Sequence, residues 1–159
     1  MLRKIQPKKF RGRGGNFAIV ASRYNARYVD SMLRAAKEEL WKAEVSEIRI
    51  VRVPGAYEIP LAARCLARVS PGLSGIICLG VILRGETTHA AHIGEAVNQA
   101  LMKIQLEHEI PVIHEVLLLE NEEQAQARCL GGNNRGTEAA QTALAMARVM
   151  ENLLSEKPL

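Results

Sequence analysis

The sequence predicts one α/β domain, a parallel sheet with helices on both faces. Three observations carry that expectation. Short β-branched or apolar runs alternate with stretches of helical periodicity along nearly the whole chain. One run, Gly75-Ile-Ile-Cys-Leu-Gly-Val-Ile-Leu83, is apolar on both faces, as a central parallel strand covered by helices must be. A chain of 159 residues is also long enough to bury one core without disulfides or metal.

The elements follow in order. Phe17 to Ala21, after a glycine-rich stretch, reads as a buried strand. Val29, Met32, Leu33, Ala36 and Leu40 then recur at helical spacing, with Arg34, Lys37, Glu38 and Glu39 on the opposite face. Ile48 to Val53 is a β-branched second strand closed by Pro54-Gly55. Ile59, Ala62, Leu66 and Val69 mark a second helix, stopped by Ser70-Pro71-Gly72. After the central strand, Ile93, Val97, Leu101 and Ile104 form the stripe of a long helix, and Pro111 to Leu119 supplies a fourth strand. Asn121 caps a further helix, with Gln124 placed to reach back to it. The last helix follows Gly131-Gly-Asn-Asn-Arg-Gly136 and carries Ala140, Ala143, Leu144, Ala147 and Met150. Four strands and four or five helices describe a small flavodoxin-like three-layer sandwich. Residues 1–15 stand apart as a basic arm, and residues 16–159 form the single domain.

Composition narrows the function classes. The formal charge of +4 is concentrated in Arg3, Lys4, Lys8, Lys9, Arg11 and Arg13, with no acid among them. Such an arm can attract phosphate-rich polymers, or simply be solvated or docked on a neighbour; a nucleic-acid partner is not expected. No apolar segment follows it as in an export signal, and no window approaches the roughly 18 apolar residues of a membrane helix. Cys65, Cys78 and Cys129 lack metal-ligand spacing; Cys65 and Cys78 read as small core residues. An odd cysteine count without an export signal points to a reducing compartment, the cytoplasm. Aromatics are scarce, with one Trp, three Tyr and two Phe, so each ring outside the core runs invites a question.

Ligands of such sheets bind beyond the carboxyl ends of the strands, and the unusual residues fall there. The first strand ends in Ser22-Arg23-Tyr24-Asn25, the second in Pro54-Gly55-Ala56-Tyr57-Glu58, the third in Arg84-Gly85-Glu86-Thr87-Thr88-His89. Gly85 permits close backbone approach, and Glu86 and Thr87 open a helix whose free N–H groups can hold a phosphate. His89, in that first turn, can move protons near neutral pH, or be an ordinary surface histidine. Glu58 serves either a ligand or the helix dipole. Tyr24 is either a stacking platform or a hydrophobic plug. Arg128 and Arg135 flank the glycine-rich loop and can pair with a phosphate, although that loop lacks the lysine of a nucleotide-binding P-loop. His89 and His92 lack a third metal ligand of suitable spacing, and no metal site is expected. The residues thus suggest a pocket for a phosphorylated small molecule with a proton-transfer group.

Ala21-Ser-Arg-Tyr-Asn25, Val53-Pro-Gly-Ala-Tyr-Glu-Ile-Pro60 and Leu79-Gly-Val-Ile-Leu-Arg-Gly-Glu-Thr-Thr-His89 together resemble the lumazine synthase family, in the family's order. Glu120-Asn-Glu-Glu-Gln-Ala125 and Asn134-Arg-Gly136 extend the match, which runs from about Asn16 to about Leu153. The resemblance implies a cofactor-free condensation of 5-amino-6-(D-ribitylamino)uracil with 3,4-dihydroxy-2-butanone 4-phosphate, losing phosphate and water. It implies that Tyr24, beside Asn25, stacks on the pyrimidine, and that Ala56, Tyr57 and Glu58 line the ribityl chain. Val81, Ile82 and Leu83 would meet the pyrimidine edge through backbone. Glu86, Thr87 and Arg128 would hold the phosphate, and His89 would shuttle protons. The family works as pentamers or assemblies of pentamers with the pocket between subunits; His114 holds the position that the adjacent chain would contribute, where Phe is common, and Arg135 stands in the site where a Lys is common. Departures are visible: Ala90 and Ala91 stand where an aromatic and an acid commonly follow the histidine, and Leu118 and Leu119 replace polar residues. A weakly active paralogue that binds lumazine or flavin, and a shell-forming structural protein, are the alternatives.

Overall fold

The computed structural model describes residues 14–155. The four strands are β1 (Asn16–Ser22), β2 (Glu47–Val53), β3 (Leu73–Leu83) and β4 (Val112–Leu119), all parallel in the order β2-β1-β3-β4. The helices are α1 (Ala26–Lys42), α2 (Ile59–Val69), α3 (His89–His108), α4 (Glu122–Cys129) and α5 (Arg135–Ser155). A single 3₁₀ turn, Ala56–Glu58, leads into α2. The expected three-layer α/β sandwich is what forms.

Alternation along the strands divides the interior in two. Phe17, Ile19, Ile77 and Leu79 point to the layer of α1, α4 and α5, where they meet Met32, Leu40 and Leu144. Val20, Ile76 and Cys78 point the other way, to Ile59 on α2 and Val97 and Leu101 on α3. Full burial of each such side chain contributes about 1.5–3 kcal/mol. The expected stripe of α1 is buried at every position named, and β3 is buried on both faces through Ile82. On edge strand β2, by contrast, only Val53 is buried.

Two expectations about α2 fail. Its buried residues are Ile59, Ala63 and Leu66, while Val69 and Cys65 are exposed. A position shared between two helical spacings is decided by the angle at which the helix lies on the sheet. Helix α3 also begins later than expected, at His89, so Glu86 and Thr87 belong to the preceding loop. Thr87 still serves that start, its Oγ1 accepting the His89 backbone N–H at 3.4 Å.

Residues 1–13 of the basic arm lie outside the described residues. Gly14 and Gly15 are packed against the turn between α1 and β2, where Ser46 N–H donates to Gly15 O at 3.2 Å and the Ser46 hydroxyl bonds Gly14 O. A Cβ at Gly14 would collide with the backbone of Glu44 to Ser46, which is why only glycine fits.

The chain leaves β1 to one side to make β2, then crosses to the other side to make β3. The carboxyl ends of β1 and β3 therefore diverge and leave a crevice there.

Candidate active site

A cavity of about 710 Å³ opens in that crevice, a size suited to a small organic molecule. Strand β1 pairs with β3 only as far as Ala21 opposite Leu79, whereas β3 runs on beside β4 to Leu83. The last residues of β3 thus lack a strand on their β1 side. Asn25 fills part of the gap, its Nδ2 donating to the Val81 carbonyl at 2.7 Å. It does so from a left-handed backbone, φ 57°, a conformation that asparagine tolerates better than most residues.

The β1–α1 turn is clipped to the end of β2. Arg23 N–H donates to Val53 O at 2.8 Å and Tyr24 N–H to Pro54 O at 3.0 Å. This sets the Tyr24 ring against Gly55, where any Cβ would come within 2.9 Å of the ring. The ring remains 70% exposed, so it is no hydrophobic plug. Tyr57 is 64% exposed on the next turn. Glu58 accepts the Gly55 N–H at 2.9 Å through Oε2, closing the turn that presents both residues.

Helix α3 supplies the remaining wall through His89, His92, Ile93 and Ala96, positions i, i+3, i+4 and i+7 of one helical face. Among the described residues, no hydrogen bond or ion pair engages the side chain of either histidine. No three His, Cys, Asp or Glu side chains there cluster closely enough for a metal ion.

One cavity therefore gathers Tyr24, Asn25, Ala56, Tyr57, Glu58, Val81, Ile82, Leu83 and His89 from the residues singled out in the sequence. Gly55, His92, Ile93 and Ala96 line it too, and were not singled out as ligand contacts. The helical spacing from His89 was the signal that could have found three of them. Glu86 and Thr87 are exposed in the loop between Leu83 and His89, outside the lining.

His114, Arg128 and Arg135 lie elsewhere. His114 is exposed on edge strand β4, level with Cys78 in the middle of β3, and Arg128 is exposed on α4. Arg135 opens α5 across the sheet from the cavity and is held by acids. Its Nε and Nη2 donate to the two oxygens of Glu115 at 3.1 Å each, and Nη1 to Glu138 at 2.7 Å. Glu115 is 7% exposed, and its burial raises the carboxyl pKa more than Arg135 lowers it. Arg135 is less buried, so for it the two carboxylates outweigh desolvation and raise its pKa. The different burial of the two partners reconciles shifts of the same direction.

Comparison with known proteins gives a consistent result. A family model described as 6,7-dimethyl-8-ribityllumazine synthase matches residues 14–151. A protein of Stenotrophomonas maltophilia (strain R551-3) bearing that name is 40% identical over 140 residues, covering 86% of this chain and 90% of its own length. Its counterpart in Xanthomonas euvesicatoria pv. vesicatoria (strain 85-10) is 41% identical over the same span and shares of length.

Proposed function

The chain belongs to the 6,7-dimethyl-8-ribityllumazine synthase family, and from that premise we propose that it is the enzyme of that condensation. It joins 5-amino-6-(D-ribitylamino)uracil to 3,4-dihydroxy-2-butanone 4-phosphate, releasing phosphate and water. The observation that carries the reading is one cavity combining an exposed aromatic ring, a strand end with backbone groups to offer, a carboxylate and an unengaged imidazole.

The amine is its own nucleophile. The protein must orient two substrates, receive the leaving phosphate and move protons between nitrogen and oxygen. Tyr24 stacks on the pyrimidine, supported by its exposure above Gly55. Val81, Ile82 and Leu83 meet the ring edge through backbone, beside Asn25, and Ala56 and Tyr57 line the ribityl chain. Glu58 accepts ribityl hydroxyls with the oxygen that does not close its own turn. His89 transfers protons, and Glu86 and Thr87 at the mouth of α3 face the phosphate. The chemistry calls for no cofactor.

The remaining residues come from a second copy. His114, Arg128 and Arg135 do not line their own chain's cavity, standing at mid-strand, on α4 and beyond the sheet. A head-to-tail ring brings a neighbour's edge to the open side of the crevice, and a homopentamer, alone or in larger assemblies, is such a ring. Exposed Met102 and Leu106 on α3 and Leu118 on β4 offer apolar surface for it. Three unpaired cysteines, one of them exposed, suit the cytoplasm. No helix among the described residues is long and apolar enough to cross a membrane. Residues 16–159 work as one domain, preceded by the basic arm of residues 1–15.

The test mixes the purified protein with both substrates and follows lumazine absorbance against the uncatalysed condensation. Acceleration is expected, with kcat reduced about 100-fold by His89→Ala. A folded, oligomeric protein that runs no faster than the spontaneous reaction would sink the assignment.

A further inference from the structure

We propose that His92 is a second catalytic residue of this pocket, acting as the opposite proton-transfer partner of His89; the inference rests on the reading above. Both imidazoles belong to the face of α3 that walls the cavity, three residues apart. That spacing sets their Cβ atoms about 5–6 Å apart on one helix surface. One small substrate can span both.

The other polar groups of the cavity are partly committed. Asn25 is spent on the Val81 carbonyl, and one Glu58 oxygen on the Gly55 N–H. His89 and His92 keep both ring nitrogens free of protein partners among the described residues. The titratable groups facing them are Tyr24 from the β1–α1 turn and Tyr57 and Glu58 from the turn before α2; the end of β3 presents only Val81, Ile82 and Leu83. On α3 itself Ala90 and Ala91 separate the two histidines, so no acid between them partners either.

Condensation of an amine with a ketone needs both a base and an acid. As the amine lone pair forms the C–N bond, the C=O π pair moves to oxygen. A neutral imidazole takes the proton released by nitrogen, and an imidazolium supplies the proton that oxygen gains. Loss of water then breaks the C–O bond, its electron pair leaving with the hydroxyl as that oxygen takes the second proton from nitrogen. Condensation of the primary amine thus moves two protons from nitrogen to oxygen and consumes none. A pair holding one proton between its members serves both of these transfers and returns to its starting state. Imidazole is the side chain suited to either role near neutrality.

The experiment measures kcat and both KM values across pH for wild type, His92→Asn, His92→Ala and His89→Asn, with thermal melts of each. The expected result for His92→Asn is a kcat lowered about 10- to 100-fold with KM values held within about 2-fold. One limb of the wild-type pH profile should also disappear, and added imidazole should partly restore His92→Ala. An unchanged kcat and pH profile in His92→Asn overturns the proposal, as does a loss confined to KM or one tracking a lowered melting temperature. A wild type no faster than the spontaneous reaction overturns the assigned reaction and this role together. An active wild type indifferent to His92 overturns this role alone.

Discussion

At the scale of single residues, the cavity depends on what surrounds its polar groups. Among the cavity-lining residues, Gly55 is where an added methyl group disturbs the site, because its Cβ would lie 2.9 Å from the Tyr24 ring and 3.0 Å from the Glu58 carboxylate. Gly55→Ala is expected to displace both groups and lower kcat/KM about 10- to 100-fold with little change in melting temperature, which steady-state kinetics and a thermal scan check together. Glu115 gives a pH prediction. Its folded pKa is raised, so the fold favours the protonated form. That contribution is complete at acid pH and fades as pH climbs from the ordinary carboxylate value, about 4.3, through the raised one. Denaturation at several pH values should show wild type losing stability relative to Glu115→Gln over that rise; a wild type that gains on Glu115→Gln as pH rises contradicts the sign. Burial raises both interior thiols as well, Cys129 to about 11, so neither is a reactive thiolate at neutral pH.

At the scale of elements, helix ends are set by local side chains. Asn121 Oδ1 accepts the Gln124 N–H at 2.9 Å, as the sequence led one to expect, while Gln124 Oε1 reaches one residue further back than Asn121 and accepts the Glu120 N–H at 3.1 Å. Asn121→Ala should cost about 1 kcal/mol in urea denaturation, and no loss would mean that α4 is held by packing alone. Asn134 does similar work for α5, its Oδ1 accepting the Gly136 N–H at 2.9 Å while Nδ2 bonds Cys129 O and Ser31 Oγ. Gly136 then lets α5 lie directly on the α1 backbone at Met32. The start of α3 was harder to foresee. Two threonines and a glutamate before His89 permit several registers, and the helix takes the one that begins at His89.

At the scale of the molecule, the proposed site depends on which copies meet. The cavity is complete on the β1, β2 and α3 sides but receives nothing from β4, α4 or α5. If those elements serve a neighbour's cavity, activity and assembly are lost together. Met102→Asp combined with Leu106→Asp, on the exposed face of α3, is expected to reduce native mass to the monomer and to abolish turnover although neither residue lines the cavity. A monomer with full activity would show that one chain suffices.

Alternation of strand and helix was legible because a strand buried on both faces and a helix buried on one leave different periods in the chain. The three loops at the carboxyl ends of the strands were legible too, because parallel topology puts those ends on one edge. The family was carried by ordered motifs whose glycines and prolines have local geometric causes. Tertiary structure decided what local patterns leave open. It turned α2 so that Ala63 rather than Val69 is buried, and left Cys65 on the surface. It turned the face of α3 that carries His89 and His92 toward the cavity, and it took Arg135 across the sheet into the hold of Glu115 and Glu138. The reason is physical: periodicity records that a face is buried, but the angle and partner of that burial are fixed only when the layers pack.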